Sequence, residues 1–233
     1  MTLDSNVNIT LFNNTGDNQT LVVFQQDPDI QQIFEKVFPC AWRVFKVGPT
    51  GGSAQVILPI QYQIGAGDVN DAFTGHVSYV QDTELKKKWE YTLRPDGYNE
   101  LKPIGDQVDN SISCLNTSGN YCTISLVKTN KPLLTYPEVG HNYMTTFLPV
   151  TYIYLAWYNH IVEGAGIMAC VSAPQAVGVN LDGAKTIEGT LSKNMATGEL
   201  IWSVKVNGIP ADLETERIDR KRPETVFRAV PGK

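Results

Sequence analysis

Apolar and polar residues alternate along most of this chain, and that alternation is the feature that most restricts its fold. In residues 54–64, Val56, Leu58 and Ile60 share one parity while Pro59 and glutamines lie on the other, as in a strand with one dry face. Because Pro59 cannot donate to a ladder, this strand is predicted to lie at an edge or to carry a bulge. Similar runs are separated by turn sequences such as NNTGDN and RPDG, and no internal repeat is evident. The pattern predicts about thirteen strands in an all-β antiparallel sandwich of jelly-roll type, with a closed barrel as the alternative.

The chain divides into a strand-rich body and a charged end. Residues 1–206 are predicted to form one sandwich domain, with a short helix over residues 29–38 that begins after an Asp-Pro-Asp cap and ends at Pro39. Residues 207–233 carry eleven charged side chains with almost no alternation, so they are predicted to form a carboxyl-terminal arm. The apolar residues that would anchor this arm are Leu213, Ile218, Val226, Phe227 and Val230.

Composition restricts the partners and the address. Lys and Arg number 19 against 24 Asp and Glu, a net charge of −5, which argues against a nucleic-acid partner because backbone phosphates require a basic face. The longest apolar stretches fall well short of the 18 or so residues of a membrane span. The amino terminus has neither a basic nor an apolar signal region, so we expect a cytoplasmic protein or one exported by another route.

The cysteines allow two interpretations. Cys40, Cys114, Cys122 and Cys170 lack the C-x-x-C spacing of zinc or redox sites. Cys114 and Cys122 flank a turn and could be bridged across a hairpin, but buried free thiols are the favoured prediction because no secretion signal is present.

No motif dictates a chemistry. The three histidines fall in separate predicted elements, and nucleophile elbows, phosphate-binding glycine loops and dinucleotide fingerprints are absent from the sequence. The chain is therefore predicted to be non-enzymatic, with no cofactor and no metal. An enzyme whose two carboxylates meet from distant loops stays open as a lesser alternative.

Aromatic residues offer the clearest candidate binding face. In YIYLAWY, Tyr152, Tyr154 and Tyr158 share one parity, and together with Trp89 and Tyr98 they could stack on sugar rings or bind another protein subunit. The competing interpretation is core packing, because Trp and Tyr commonly fill the interior of sandwiches.

Two segments resemble a known family. The run NNTGDNQTLVVFQQDPDI, followed by Ala41-Trp42, resembles the rhizosphere-induced protein family of bacteria, and TLSKNMATGELIWSV is similar to the closing hairpin of that family. Together the two segments cover about a quarter of the chain. The resemblance implies a bacterial, β-rich accessory protein made under population-density control, without catalytic residues to carry over.

These observations lead to one expected function and one alternative. The arm, the low charge density and the strand edges predict a homo-oligomer that works by self-association as a filament, lattice or inclusion subunit. The alternative is a carbohydrate-binding, lectin-like protein that acts in plant or host contact through the aromatic face.

Overall fold

The described part of the chain is built mainly of β-strands. The structure, a computed structural model, describes residues 5–26, 37–69, 71–148, 151–167 and 176–211, and within these ranges it has eighteen strands and one four-residue helix, α1 (Asp71–Thr74). The predicted all-β sandwich class is confirmed. The helix predicted over residues 29–38 lies outside the described residues up to 36, and Phe38 belongs to a strand.

The strands form four sheets. Sheet 1 contains, in spatial order, β18 (Ile209–Pro210), β17 (Leu200–Val206), β16 (Thr186–Lys193), β1 (Val7–Asn14) and β5 (Gly52–Leu58). Sheet 2 contains β15 (Val177–Asn180), β14 (Tyr152–Trp157), β2 (Gln19–Phe24) and β4 (Arg43–Val47). Sheet 3 contains β3 (Phe38–Pro39), β12 (Lys131–Val139), β11 (Cys122–Lys128), β6 (Tyr62–Gly67) and β7 (Tyr79–Thr83). Sheet 4 contains β13 (Met144–Phe147), β10 (Ile112–Thr117), β8 (Lys87–Leu93) and β9 (Asn99–Asp106).

The sheets pack in two pairs, which we call module I (sheets 1 and 2) and module II (sheets 3 and 4). Within module I, a Cβ atom added to Gly189 of sheet 1 would lie 2.7 Å from Leu155 Cδ1 of sheet 2. Within module II, the rings of Tyr136 and Phe147 meet across the two sheets with centroids 5.3 Å apart. Each module is thus a pair of packed sheets, and the buried apolar side chains of the two modules form one continuous cluster. The single domain over residues 1–206 stays a prediction.

Module II is inserted into module I. The strand predicted over residues 54–64 stops at Leu58 and a new strand begins at Tyr62, because Pro59 cannot donate a ladder hydrogen bond. At this break the chain leaves module I for the consecutive strands β6 to β13, and it returns with β14; the two-residue strand β3, earlier in the chain, also pairs within module II. The notable pairings are parallel: β1 lies beside β16, and β8 lies beside β10.

The two modules repeat one topology. Strands β1 and β10 each pair with one parallel and one antiparallel neighbour, β16 and β5 in the first case, β8 and β13 in the second. Strands β2 and β11 each pair antiparallel with the next long strand, β4 or β12, and pair on their other side with β14 or β6. If the two-residue strand β3 is left out, the eight strands from β1 to β9 thus have the same order of pairings as the eight strands from β10 to β17. The chain carries an internal duplication that the sequence reading did not detect.

A buried asparagine holds the same turn in both repeats. Asn13 donates through Nδ2 to the carbonyls of Asp17 (2.7 Å) and Val47 (3.1 Å), and its Oδ1 accepts from the backbone N–H and the hydroxyl of Thr15. Asn116 makes the corresponding bonds. Its Nδ2 donates to Asn120 O (2.7 Å) and Val139 O (2.8 Å), and its Oδ1 accepts from the N–H (3.0 Å) and Oγ (2.8 Å) of Ser118. Both asparagine side chains are fully buried, so their role is to tie three chain segments together.

A buried lysine fastens the junction between the modules. Lys128, at the end of β11, donates through Nζ to the carbonyls of Pro59, Ile60 (3.0 Å) and Gln61 (3.3 Å), the three residues that link β5 to β6. Its ammonium also lies 3.8 Å from the centroid of the Tyr62 ring. Burial lowers the pKa of Lys128 to about 7.

Two glycines form a second junction contact. Gly75, after α1, and Gly164, after β14, approach so closely that a Cβ on either would lie 2.9 Å from the Cα of the other. Both have positive φ, 72° and 85°, a conformation that glycine adopts at little cost. Because the contact is reciprocal and lies on corresponding loops of the two repeats, it marks the place where the modules face each other.

The carboxyl-terminal segment begins as part of sheet 1. Asn207 and Gly208, with φ of 52° and 79°, turn the chain back so that β18 pairs with β17. Asn207 accepts the backbone N–H groups of Lys185 (2.8 Å) and Thr186 (3.1 Å). Residues 207–211 thus belong to the body, and the predicted anchors Leu213, Ile218, Val226, Phe227 and Val230 lie outside the described residues.

The cysteines of the described part are free thiols. Cys40, Cys114 and Cys122 are buried and unbridged, which confirms the prediction for these three; Cys170 lies outside the described residues. Burial raises the pKa of the Cys40 and Cys122 thiols to about 12, so neither is a thiolate at neutral pH.

Candidate functional site

The aromatic residues singled out in the sequence occupy several different environments. Tyr154 and Tyr158 are buried in a small cluster on the outer face of sheet 2, where the Tyr154 ring stacks on Phe24 with centroids 5.3 Å apart. Tyr152 packs, partly buried, against the same cluster. Tyr98 is 71% exposed at a turn of module II. The tyrosines on this face of β14 are therefore mostly buried. Of the four tyrosines, Tyr98 is the one with a largely exposed side chain.

Trp89 lies in the core of module II beside a groove. Its indole N–H donates to Thr83 Oγ1 (2.8 Å), and only 7% of the residue is exposed. The open groove has a volume of about 450 Å³ and is lined by Gln61, Asp82, Thr83, Glu84, Lys87, Trp89 and Pro103. Since little of the indole reaches the surface, Trp89 does not provide an exposed platform on which a ring could stack.

Three exposed tyrosines instead lie at one end of module II. Tyr98, Tyr121 and Tyr143 are 71%, 68% and 71% exposed, and each directly precedes a strand, β9, β11 or β13. Because β8 and β10 run parallel, the turns that follow them lie at the same end of sheet 4, and the turn that precedes antiparallel β13 joins them there. We call these three residues the tyrosine tip.

Backbone hydrogen bonds hold the turns that carry the tip. In the β8–β9 turn, Arg94 N–H donates to Tyr98 O (2.8 Å) and Gly97 N–H to Arg94 O (3.0 Å). In the β12–β13 turn, Asn142 N–H donates to Asn116 O (2.7 Å). The β10–β11 turn is the one that buried Asn116 closes. The rings are therefore displayed on rigid supports, which lowers the entropy that a ligand must offset on binding.

Two of the rings form a pair. A Cβ added to Gly140 would lie 3.2 Å from a ring carbon of Tyr143 and 3.4 Å from one of Tyr121, so both rings flank this glycine. The Nδ1 atom of His141 accepts the backbone N–H of Gly119 (3.2 Å) and joins the two turns directly. Tyr121 and Tyr143 thus lie on the same side of the tip, next to Gly140.

Module I builds the same turns without tyrosine. Equivalent backbone bonds run from Asn194 N–H to Glu199 O (2.7 Å) and from Gly51 N–H to Asn13 O (2.9 Å). These bonds place Glu199 at the position of Tyr98 and Gly52 at that of Tyr143, while Asn18 corresponds to Tyr121. The fold therefore does not require an aromatic residue at any of the three positions.

The sequence reading missed Tyr121 and Tyr143. A local signal exists, because DGY, GNY and HNY each place a tyrosine at the end of a turn just before a strand. Gly97 and Asn142, which directly precede two of the tyrosines, have φ of 84° and 63°. Such turn tips are solvent-exposed in most proteins, so an aromatic residue there is more informative than one inside a strand.

Catalytic groups are not evident in the part of the chain that the structure describes. Over those residues, no three or more His, Cys, Asp or Glu side chains are grouped as metal ligands. The described thiols and Lys128 are buried, including Cys122, which directly follows Tyr121. No described helix is both long and apolar enough to cross a membrane.

Comparison with known proteins leaves the family open. No family model, no curated protein and no solved structure matches this chain. The resemblance to the rhizosphere-induced family therefore stays a prediction.

Proposed function

We propose that this chain is a non-enzymatic, lectin-like binding protein whose recognition surface is the tyrosine tip. The carbohydrate-binding role considered from the sequence thereby moves from β14 to the turns of module II. Of the residues named at that stage, Tyr98 remains in the proposed site. The arrangement of aromatic rings on turns also resembles the loop-borne binding surfaces of other β-sandwich proteins.

The observation that carries this proposal is the difference between the two modules. Module I has Asn18, Gly52 and Glu199 where module II has three tyrosines that are at least two-thirds exposed. An exposed tyrosine contributes little to stability, whereas a ligand that covers its ring would gain about 1–2 kcal/mol per ring before ordering costs. The tyrosines therefore support a role in binding.

A glycan array tests the proposal. The variant Tyr121→Ala/Tyr143→Ala should lose the binding that the intact chain shows and keep its melting temperature, because both rings are exposed. Asn18→Ala is the matched control, since it alters the corresponding turn of module I. Glycan binding that survives in the double-tyrosine variant would contradict the proposal.

Self-association is the second candidate function. Strand β18 lies at the open edge of sheet 1 with Ile209 69% exposed, and the chain continues from it into the charged arm. Edge strands present unpaired backbone groups that a segment of a neighbouring copy can pair with. The arm therefore leaves the body at an edge where pairing between copies is available.

Truncation after residue 211 tests self-association while leaving β18 in place. If the arm joins copies, the full chain should form oligomers in solution, the truncated chain should be a monomer, and Phe227→Ala should weaken assembly without changing the melting temperature. A full chain that is monomeric at high concentration would exclude this role. The bacterial accessory role and the cellular address stay predictions.

A further inference from the structure

We infer that the ligand of the tyrosine tip is an uncharged oligosaccharide longer than a single sugar, held by two aromatic subsites. This inference rests on the proposed function and specifies the ligand class and the part played by each tyrosine. The first subsite is the Tyr121–Tyr143 pair, and the second is Tyr98.

The spacing of the turns separates the two subsites. Sheet 4 has the order β13-β10-β8-β9, with Tyr143 entering β13 and Tyr98 entering β9. Neighbouring strands lie about 4.8 Å apart, so the backbones at the two ends of the tip are separated by about 14 Å. This distance exceeds the width of one pyranose ring. A ligand that contacts both subsites must therefore be a chain of sugars.

The relative position of the turns is fixed, which makes the spacing meaningful. Thr117 Oγ1, at the end of β10, donates to Glu90 Oε1 (2.9 Å) on the adjacent β8. On the other side, the bond from Gly119 N–H to His141 Nδ1 ties the β10–β11 turn to the β12–β13 turn. Hydrogen bonds thus cross the sheet near the tip and keep its strands in register.

The charges on the three turns are already balanced. Residues 94–98, 118–121 and 140–143 contain Arg94, Asp96 and His141 as their charged or histidine side chains. Arg94 Nη2 lies 2.9 Å from Asp96 Oδ2, so these two neutralise each other. The turns that carry the tip thus offer no unpaired cation for a sulfate, phosphate or sialic acid, and they favour a neutral ligand.

Exposed amides accompany the rings. Asn120 directly precedes Tyr121 and Asn142 directly precedes Tyr143, and both asparagines are exposed. An amide donates through its NH₂ group and accepts through its carbonyl oxygen, which suits the hydroxyl groups of a sugar. The aromatic faces can pack on the C–H face of the same sugar ring. This combination favours a glycan over an extended apolar protein surface.

Calorimetric titration of the full chain tests the inference. The probes are neutral cello-, malto- and manno-oligosaccharides from mono- to hexasaccharide, with sialyllactose and a heparin fragment as charged counterparts. We expect affinity for at least one neutral series to rise with chain length, with little dependence on salt. Tyr121→Ala and Tyr143→Ala should each lower it about ten-fold or more, and Tyr98→Ala should lower it for long chains but not for the shortest one that binds.

Several outcomes separate this inference from the proposed function. Tyrosine-dependent binding that is confined to the charged probes, or equal affinity for the mono- and hexasaccharide, would overturn the inference while leaving a lectin-like function in place. Equal loss in Tyr98→Ala for short and long chains would refute the two-subsite arrangement. Failure of all glycans on an array to bind the intact chain would overturn both. Asn18→Ala should leave every titration unchanged.

Discussion

Replacing the buried asparagine of each repeat should separate folding from binding. Asn116→Ala removes four hydrogen bonds and leaves Val139 O and Ser118 N–H, both in buried surroundings, without their partner. Each unsatisfied buried group costs about 1–3 kcal/mol, so we expect a loss of about 3–4 kcal/mol in the free energy of unfolding. Asn13→Ala removes the corresponding four bonds and a fifth, from Nδ2 to Gly48 O (2.8 Å), so it should cost at least as much. Urea denaturation measures both losses as shifts of the midpoint at constant slope.

Ligand binding supplies the second readout for this pair. Asn116 closes the turn that carries Tyr121, so under conditions where both variants are folded Asn116→Ala should weaken binding at the tyrosine tip. Asn13 closes a turn of module I, so Asn13→Ala should leave binding at the tyrosine tip intact. A cost below about 1 kcal/mol for either variant would refute the structural role of the asparagines. Equal loss of binding in both would refute the assignment of the site to module II.

Three further predictions test the junction and the tip. Burial lowers the pKa of Lys128 to about 7, whereas an unfolded lysine titrates near 10.5, so the unfolded chain binds more protons between these two pH values. The free energy of unfolding should therefore rise from about pH 7 towards pH 10, and Lys128→Met should remove this rise in denaturation curves taken across the range. Gly164→Ala would place a Cβ 2.8 Å from Gly75 O at a φ of 85°, so it should destabilise the chain by about 2–4 kcal/mol in urea, and a change below about 0.5 kcal/mol would contradict the close junction. Gly140→Ala brings a methyl group to 3.2 Å from the Tyr143 ring, so it should lower ligand affinity several-fold while the free energy of unfolding stays within about 0.5 kcal/mol of that of the parent. Unchanged affinity would show that the position of the two rings is not critical for binding.

The strand content was predictable because alternation is a local property. In β1, Val7, Ile9 and Leu11 are buried and the residues between them are not, as a two-residue period requires. The tight turn at Asn207-Gly208 is equally local, since these residue types tolerate positive φ, yet the segment was predicted to be an arm because its charged continuation dominated the composition. The break at Pro59 was predicted only as a bulge or an edge, and in the structure it is the link between modules.

The duplication was hidden because few residues are shared. Between positions 9 and 20 and the corresponding positions of the second repeat, the residues differ except in four pairs that share one constant spacing. These pairs are Ile9 and Ile112, Asn13 and Asn116, Gly16 and Gly119, and Thr20 and Thr123. A sandwich core accepts many apolar residues of similar size, so two copies of one fold can diverge in sequence while their hydrogen-bonding patterns stay the same. The buried asparagines were kept in both because no other side chain makes the same set of bonds.

The sequence by itself determined the all-β class and the approximate positions of strands and turns, and it indicated that no local motif specifies a catalytic chemistry. Only the tertiary structure decided which strands pair, because the energy of a ladder is the same for many partners and the choice depends on contacts between distant residues, as between β1 and β16. The same long-range pairing decided the candidate site. The three tyrosines of the tip are far apart in the chain, and they lie at one end of sheet 4 because the parallel strands β8 and β10 bring their turns there. Tyr154 and Tyr158 are close together in the sequence, but packing on sheet 2 buries both.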